Sequence, residues 1–220
     1  MSVIYDFPKQ TAYGKMMPKS KIYQYASPGT RVKELFVREV DKIIWSYKLS
    51  PQTLNLSASG FVKEIQVITI YLKSMDLNID VLRTIDKAIP SPVIFVLLAN
   101  NKTRYSAAYK RRNEADRSKW VVSEYFSSQW MKKDKQRQPL PIALNLKTLY
   151  ETLIKNFISI KPIPGESMEV FIARVEKIGM KKREAEKLQA KIRKTKQYNR
   201  KVELHTELGS LKKEIKALSR

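Results

Sequence analysis

The prolines of this 220-residue chain stop at Pro164. Proline removes a backbone donor and collides with the preceding helical turn, so a long segment without it is free to stay helical. Residues 167 to 219 contain only two glycines, Gly179 and Gly209, and charged residues fill most positions between the apolar ones. Leu204, Leu208, Leu211, Ile215 and Leu218 recur at steps of four, three, four and three, the spacing of a coiled-coil seam. Leu188 and Ile192 open the same register upstream, but Thr195 and Asn199 fall on the seam and interrupt it. The spacing predicts a basic helical, coiled-coil arm over 166–220, with the five seam residues as its partner-binding surface. A hairpin within one chain and pairing between chains both fit.

Upstream of Pro164 the punctuation is denser and the periods change. Residues 1–28 hold Pro8, Gly14, Pro18 and Pro28 without a sustained period, which predicts an extended N-terminal arm. From Thr30 to Tyr47, Val32, Leu35, Phe36, Val40, Ile43, Ile44 and Tyr47 recur at helical steps, predicting one amphipathic helix of about five turns that ends before Pro51, with Trp45 as its core anchor. Residues 61 to 73 are apolar and β-branched on both alternating faces, the pattern of a strand covered on both sides. A helix over 78–88 and a strand over 93–98 follow, and a helical crossover of this kind joins parallel strands. Asn100-Asn101 predicts a hairpin between 92–99 and 103–110, followed by a strand over 119–126 and a helix over 146–158 capped by Asn145. The fold class is α+β: a body over 29–160 built on a small mixed sheet of about four strands packed with helices, and the C-terminal arm.

Composition bears on chemistry. The chain has no cysteine and a single histidine, His205, so thiolate zinc sites, thiol nucleophiles and two-histidine metal sites are absent. Its glycines form neither a phosphate-binding loop nor a dinucleotide fingerprint. No metal ligands and no cofactor are expected. The 43 Lys and Arg against 21 Asp and Glu give a net charge of +22, and with 43% hydrophobic residues that charge is carried by a folded chain. Such an excess suits a polyanionic partner, nucleic acid first. The N-terminus lacks a basic region followed by an apolar core and no apolar run approaches a membrane span, so a soluble cytoplasmic protein is expected.

Two stretches concentrate the cations. The first, Lys181 to Lys201, has ten Lys or Arg against two Glu: Lys181, Lys182, Arg183, Lys187, Lys191, Arg193, Lys194, Lys196, Arg200 and Lys201. Placed around a helix they can neutralise successive phosphates, or they can be the solvated exterior of a coiled coil. The second, Lys102 to Arg137, has eleven against four and interleaves Tyr105, Tyr109, Trp120, Tyr125 and Trp130. Lys110, Arg111, Arg112, Lys132, Lys133, Lys135 and Arg137 are its candidate phosphate contacts, and its aromatics are either base-stacking platforms or cross-strand core pairs. A restriction-type nuclease needs a strand acid and an acid-x-Lys pair to hold Mg²⁺. Glu64-Ile65-Gln66 is the nearest approach, with Gln66 in place of the lysine and Asp41 assigned to a helix.

Several segments are similar to a bacterial family, domain-of-unknown-function family 4391. They include DFPKQT, VDKIIWSYKLSPQTLNL, VKEIQVITIYLK, IDKAIPSPVIFVL and KTKQYNRKVELHTELGSLKKEIKAL. The likeness runs from about Asp6 to Leu218, and its most specific pieces are Trp45 to Pro51 with Thr53 and Asn55, and Tyr198 to Leu204. It implies a setting beside helicases and DNA methyltransferases in phage-defence or restriction-like loci, and no catalytic residue. The expected function is a non-catalytic accessory subunit that binds a helicase, nuclease or methyltransferase partner and contacts DNA or RNA backbone. The alternatives are a divergent metal-dependent nuclease and a purely structural coiled-coil adaptor.

Overall fold

The computed structural model describes residues 3–116 and 119–219, and the chain divides into two compact units, Met1–Ile158 and Ser159–Arg220. The first unit is built on β1 (Ile4–Asp6), β2 (Ala12–Met16), α1 (Lys19–Ala26), α2 (Thr30–Glu39), β3 (Val40–Leu49), α3 (Pro51–Leu54), β4 (Ile65–Leu72), α4 (Ile79–Ala88), β5 (Val93–Ala99), β6 (Lys102–Arg112), β7 (Trp120–Ser127), β8 (Met131–Lys132), β9 (Arg137–Pro139) and α5 (Leu146–Phe157). Among the described residues seven strands form one sheet in the order β2-β3-β4-β5-β6-β7, with β8 also on β6, so the sheet is larger than the four strands expected. It is mostly antiparallel. Among the described residues only β4 and β5 pair in parallel within it, across the α4 crossover.

The expected five-turn helix is half strand. It stops at Glu39, and Val40–Leu49 pairs with β2 on one side and β4 on the other. The register slips between Val40 and Lys42 and again between Trp45 and Tyr47, and each bulge inserts a residue into the two-residue alternation. Val40 and Ile43 are both fully buried three positions apart because of it, so a bulged strand imitates a helical period. Lys19 donates to the carbonyls of Phe36 and Val40 at 2.9 and 2.6 Å, tying α1 to the junction where α2 gives way to β3.

The first 28 residues are likewise part of the body. β1 runs parallel to β9, β2 extends the sheet, and α1 lies on α4 with Ile22 buried. The β5–β6 hairpin turns through Asn100 and Asn101, both at positive φ (46° and 56°), as a two-residue turn demands. Asn145 caps α5 by accepting from the Thr148 amide at 2.9 Å. Alternation along β6 sends Tyr105 and Tyr109 toward α5 and Lys110 toward α4, so the sheet is covered on both faces. Ile68, Ile70, Phe95 and Leu97 form the core with Phe36, Val81 and Ile85 of α2 and α4.

The second unit is a helical hairpin of α6 (Met168–Lys194) and α7 (Tyr198–Leu218). Lys181 pairs with Glu214, and the Arg174 guanidinium donates to the Leu218 carbonyl at 2.9 Å, so the helices run antiparallel. Ala185, Leu188 and Ile192 close against Leu204, Leu208, Leu211 and Ile215. This corrects the partner-binding assignment: Leu204, Leu208 and Leu211 are buried by the chain's own α6, and Ile215 packs on the same cluster. The interruption at Thr195 and Asn199 is where the chain reverses, with α6 ending as the Thr195 amide bonds back to the Lys191 carbonyl at 3.0 Å.

Candidate functional site

Reversal at 195–197 gathers both halves of the C-terminal basic stretch at one end of the hairpin. Between Lys187 and Lys201 lie seven Lys or Arg and no acid. Lys187, Lys191, Arg193, Lys194, Lys196, Arg200 and Lys201 are exposed, as are Lys182 and Arg183 further from the turn. Lys181 is half-buried and engaged by Glu214, whose carboxyl it holds below the usual carboxylate range. Arg200 is bridged to Glu203. Tyr198 opens α7 and is 77% exposed, and the first turn of α7 has neither an acidic residue nor a side-chain cap. A helix N-terminus carries partial positive charge, which adds to the excess of cations at this end of the unit.

The second basic stretch is divided. Arg111 and Arg112 close β6 at one end, while Lys132 stands opposite Lys102 at the other. At about 3.3 Å per residue those ends are roughly 30 Å apart, so one continuous surface over 102–137 is not formed. Lys132, Lys133, Lys135 and Arg137 are exposed around β8 and β9. Arg112 covers Trp120 at 4.1 Å, and Arg111 faces Glu114 at 3.8 Å.

Lys110 is a correction, because it lies inside the protein, 2% exposed. Its ammonium donates to Asp86 Oδ1 at 3.0 Å and to the carbonyls of Asp86 and Ile89 at 2.8 and 2.6 Å. Tyr125 donates to the other Asp86 oxygen at 2.8 Å. Burial drives the Asp86 pKa up and the Lys110 pKa down, and the attraction between them opposes both shifts. A cation already spending its donors in the core cannot reach a phosphate. Tyr105 and Tyr109 are core rings as well, stacked on Phe157 and Tyr150 at 5.4 and 6.0 Å. Tyr105 Oη accepts from the Tyr5 amide at 2.9 Å, and burial pushes its pKa to about 12.

The nuclease reading meets a different geometry from the one expected. Asp41 is on a strand, and Lys48 arrives from β3 to pair with Glu64 Oε2 at 2.7 Å, in the place where the sequence offers only Gln66. Glu64 Oε1 accepts from Gln66 at 2.7 Å, and Gln66 in turn accepts from Trp45 Nε1 at 2.8 Å. Among the described residues no group of three His, Cys, Asp or Glu could hold a metal ion. Much of the specific Trp45–Asn55 motif is turn chemistry: Ser50 and Thr53 form a capping box, Pro51 opens α3, and Asn55 takes the left-handed cap at φ 54°. His205 is exposed on α7.

The molecule thus defines a class: an α+β sheet body followed by a basic helical hairpin. The model of the family described as "Domain of unknown function (DUF4391)" matches residues 5–215, nearly the whole chain, and the chain belongs to that family. No curated protein and no solved structure matches it. Among the described residues no helix is long and apolar enough to cross a membrane.

Proposed function

We propose that the chain is a non-catalytic accessory subunit of a DNA-acting complex, of the phage-defence or restriction-like kind that its family likeness implies. It holds nucleic-acid backbone while a larger helicase, nuclease or methyltransferase does the chemistry. The observation that supports this is the connector end of the hairpin, where seven cations project without an intervening acid. Such a surface neutralises phosphates and releases their counterions, so binding is sequence-independent and falls steeply with salt.

The test is a salt titration of duplex DNA binding by the full chain and by a Lys191→Gln/Arg193→Gln/Lys194→Gln/Lys196→Gln variant. Each phosphate that the variant no longer neutralises lowers the log–log slope by about 0.9. An unchanged slope overturns the reading, and weak binding at physiological salt by both proteins favours the structural adaptor. Co-purification from the native source identifies the protein partner. The Lys48–Glu64 pair keeps a second reading, a divergent metal-dependent nuclease. DNA cleavage in Mg²⁺ or Mn²⁺ that is lost in Glu64→Ala would promote it.

A further inference from the structure

A second surface, in the sheet body, has the chemistry of a base-binding site. Where the edge strand β2 and its neighbour β3 meet α1 and the end of α4 lies a pocket of about 300 Å³ walled by Tyr13, Met16, Tyr25 and Trp45. Ile22 and Ile89 also line it, and Lys15 and Lys21 are exposed beside it. Among the described residues no acidic side chain lines it. Tyr25 is 69% exposed and Met16 68%, while Tyr13 rests against Trp45 at 4.9 Å. Lys15 lies over the Tyr13 ring at 4.8 Å, so Tyr25 and Met16 are the apolar side chains most open to water, which is unfavourable, and here they border a concavity at the small end of the range for ligand pockets.

Two occupants suit apolar walls with a cationic rim: an unpaired base with its phosphates, or an acidic peptide added to the sheet edge. The edge itself decides between them. Gly14 stands at φ +64° within β2, and the pairing register shifts between Ala12 and Lys15, so β2 does not offer the regular row of donors and acceptors that strand addition requires. A stacked base needs no such row, only an aromatic face and cations for the backbone. We infer that this pocket takes a single unpaired nucleobase, with Tyr25 as stacking face and Lys15 and Lys21 on the flanking phosphates. The chain is thereby a single-strand binder through its body. This goes beyond the hairpin reading and stands on different residues.

The experiment compares a fluorescein-labelled oligothymidylate with an abasic oligomer of equal length, which keeps every phosphate and lacks every base. The full-length chain binds the thymidylate tighter by roughly 5- to 160-fold, the scale of one stacking interaction. Tyr25→Ala, at an exposed ring, brings that ratio close to one, and Tyr25→Phe preserves it. The Lys191→Gln/Arg193→Gln/Lys194→Gln/Lys196→Gln variant weakens both oligomers alike and leaves the ratio intact, so failure of the hairpin reading and failure of this one are separately visible. A wild-type ratio near one overturns the inference, as does a ratio that survives Tyr25→Ala. So does Tyr25-dependent binding of a Glu-rich, Phe-containing peptide with no discrimination between the oligomers, which would assign the pocket to a protein partner.

Discussion

The sheet body and the helical hairpin use lysine in opposite ways. In the body, Lys110 gives its donors to Asp86 and to two carbonyls, and both side chains of that ion pair are nearly inaccessible, at 3% and 4% exposure. In the hairpin, the cations from Lys187 to Lys201 all face outward, and among the described residues of that stretch only Arg200 is bridged by a neighbouring acid. A buried lysine is held by local satisfaction and contributes to one fold. An exposed cluster contributes little to folding and leaves its charge free for a partner. Net charge alone does not distinguish the two, since both count equally toward +22.

The sharpest way to break this contrast is Lys110→Met. Removing one partner leaves the Asp86 carboxylate buried without its cation and takes the ammonium from the Ile89 carbonyl, so stability falls by about 3–5 kcal/mol, read by urea denaturation. Lys110→Met/Asp86→Leu recovers part of the loss, because no charge is then stranded. A Lys110→Met protein as stable as wild type would place Lys110 with the surface cations. Next in size is the hairpin seam. Leu204 is fully buried, and Leu204→Ala lowers stability by about 2–5 kcal/mol, whereas the half-buried Leu218 loses only a fraction of that on the same change. If Leu204→Ala leaves melting unaltered and instead dissociates an oligomer in sedimentation, the seam belongs between chains.

Much of the body was legible where one local signal acted alone. The Asn100-Asn101 turn, the Asn145 cap and the α4 crossover between parallel strands each need only a few neighbouring residues to specify them. β3 was not, because its bulges place Val40 and Ile43 on one side at helical spacing, and the pairing of both its edges is information from elsewhere in the chain. The N-terminal strands escaped for the same reason, as β1 finds its partner β9 more than 130 residues away. At the candidate sites, composition located the cations but not their direction. Lys110, Arg111 and Arg112 are adjacent in sequence, yet alternation along β6 and the acid on α4 draw Lys110 inward. The pocket at Tyr25 gave no motif at all, since its walls come from β2, α1, β3 and the segment after α4.

Alkaline pH tests the buried side of the contrast. Tyr105 has its pKa raised to about 12 by burial, while an unfolded tyrosine ionises near 10. The folded state then holds more protons than the unfolded state between those values, so stability falls as pH rises through the window. That stabilisation is intact below pH 10, and about 2–3 kcal/mol of it is lost by pH 12 from Tyr105 alone. Tyr125 and Tyr150 shift in the same direction through burial and the nearby Asp86 carboxylate, and they add to the loss. Tyr105→Phe removes the first contribution and flattens the alkaline limb of a urea-midpoint against pH plot. A limb unchanged in that variant would mean that Tyr105 ionises as freely in the fold as out of it.

The smallest expected effect on stability separates holding a fold from holding a ligand most directly. A cation in the first turn of a helix opposes the helix dipole, and Lys201 stands in the first turn of α7, where no acid and no side-chain cap offsets it. Lys201→Glu therefore stabilises the hairpin by about 0.3–1 kcal/mol. In DNA binding the same change removes one cation and adds one anion, which lowers affinity and the salt slope together. Opposite signs in melting temperature and in affinity are what a residue retained for its charge produces, because a residue retained for the fold would lose both. If Lys201→Glu lowers stability and leaves DNA binding untouched, the cations around the turn serve the hairpin itself, and the contrast with Lys110 disappears.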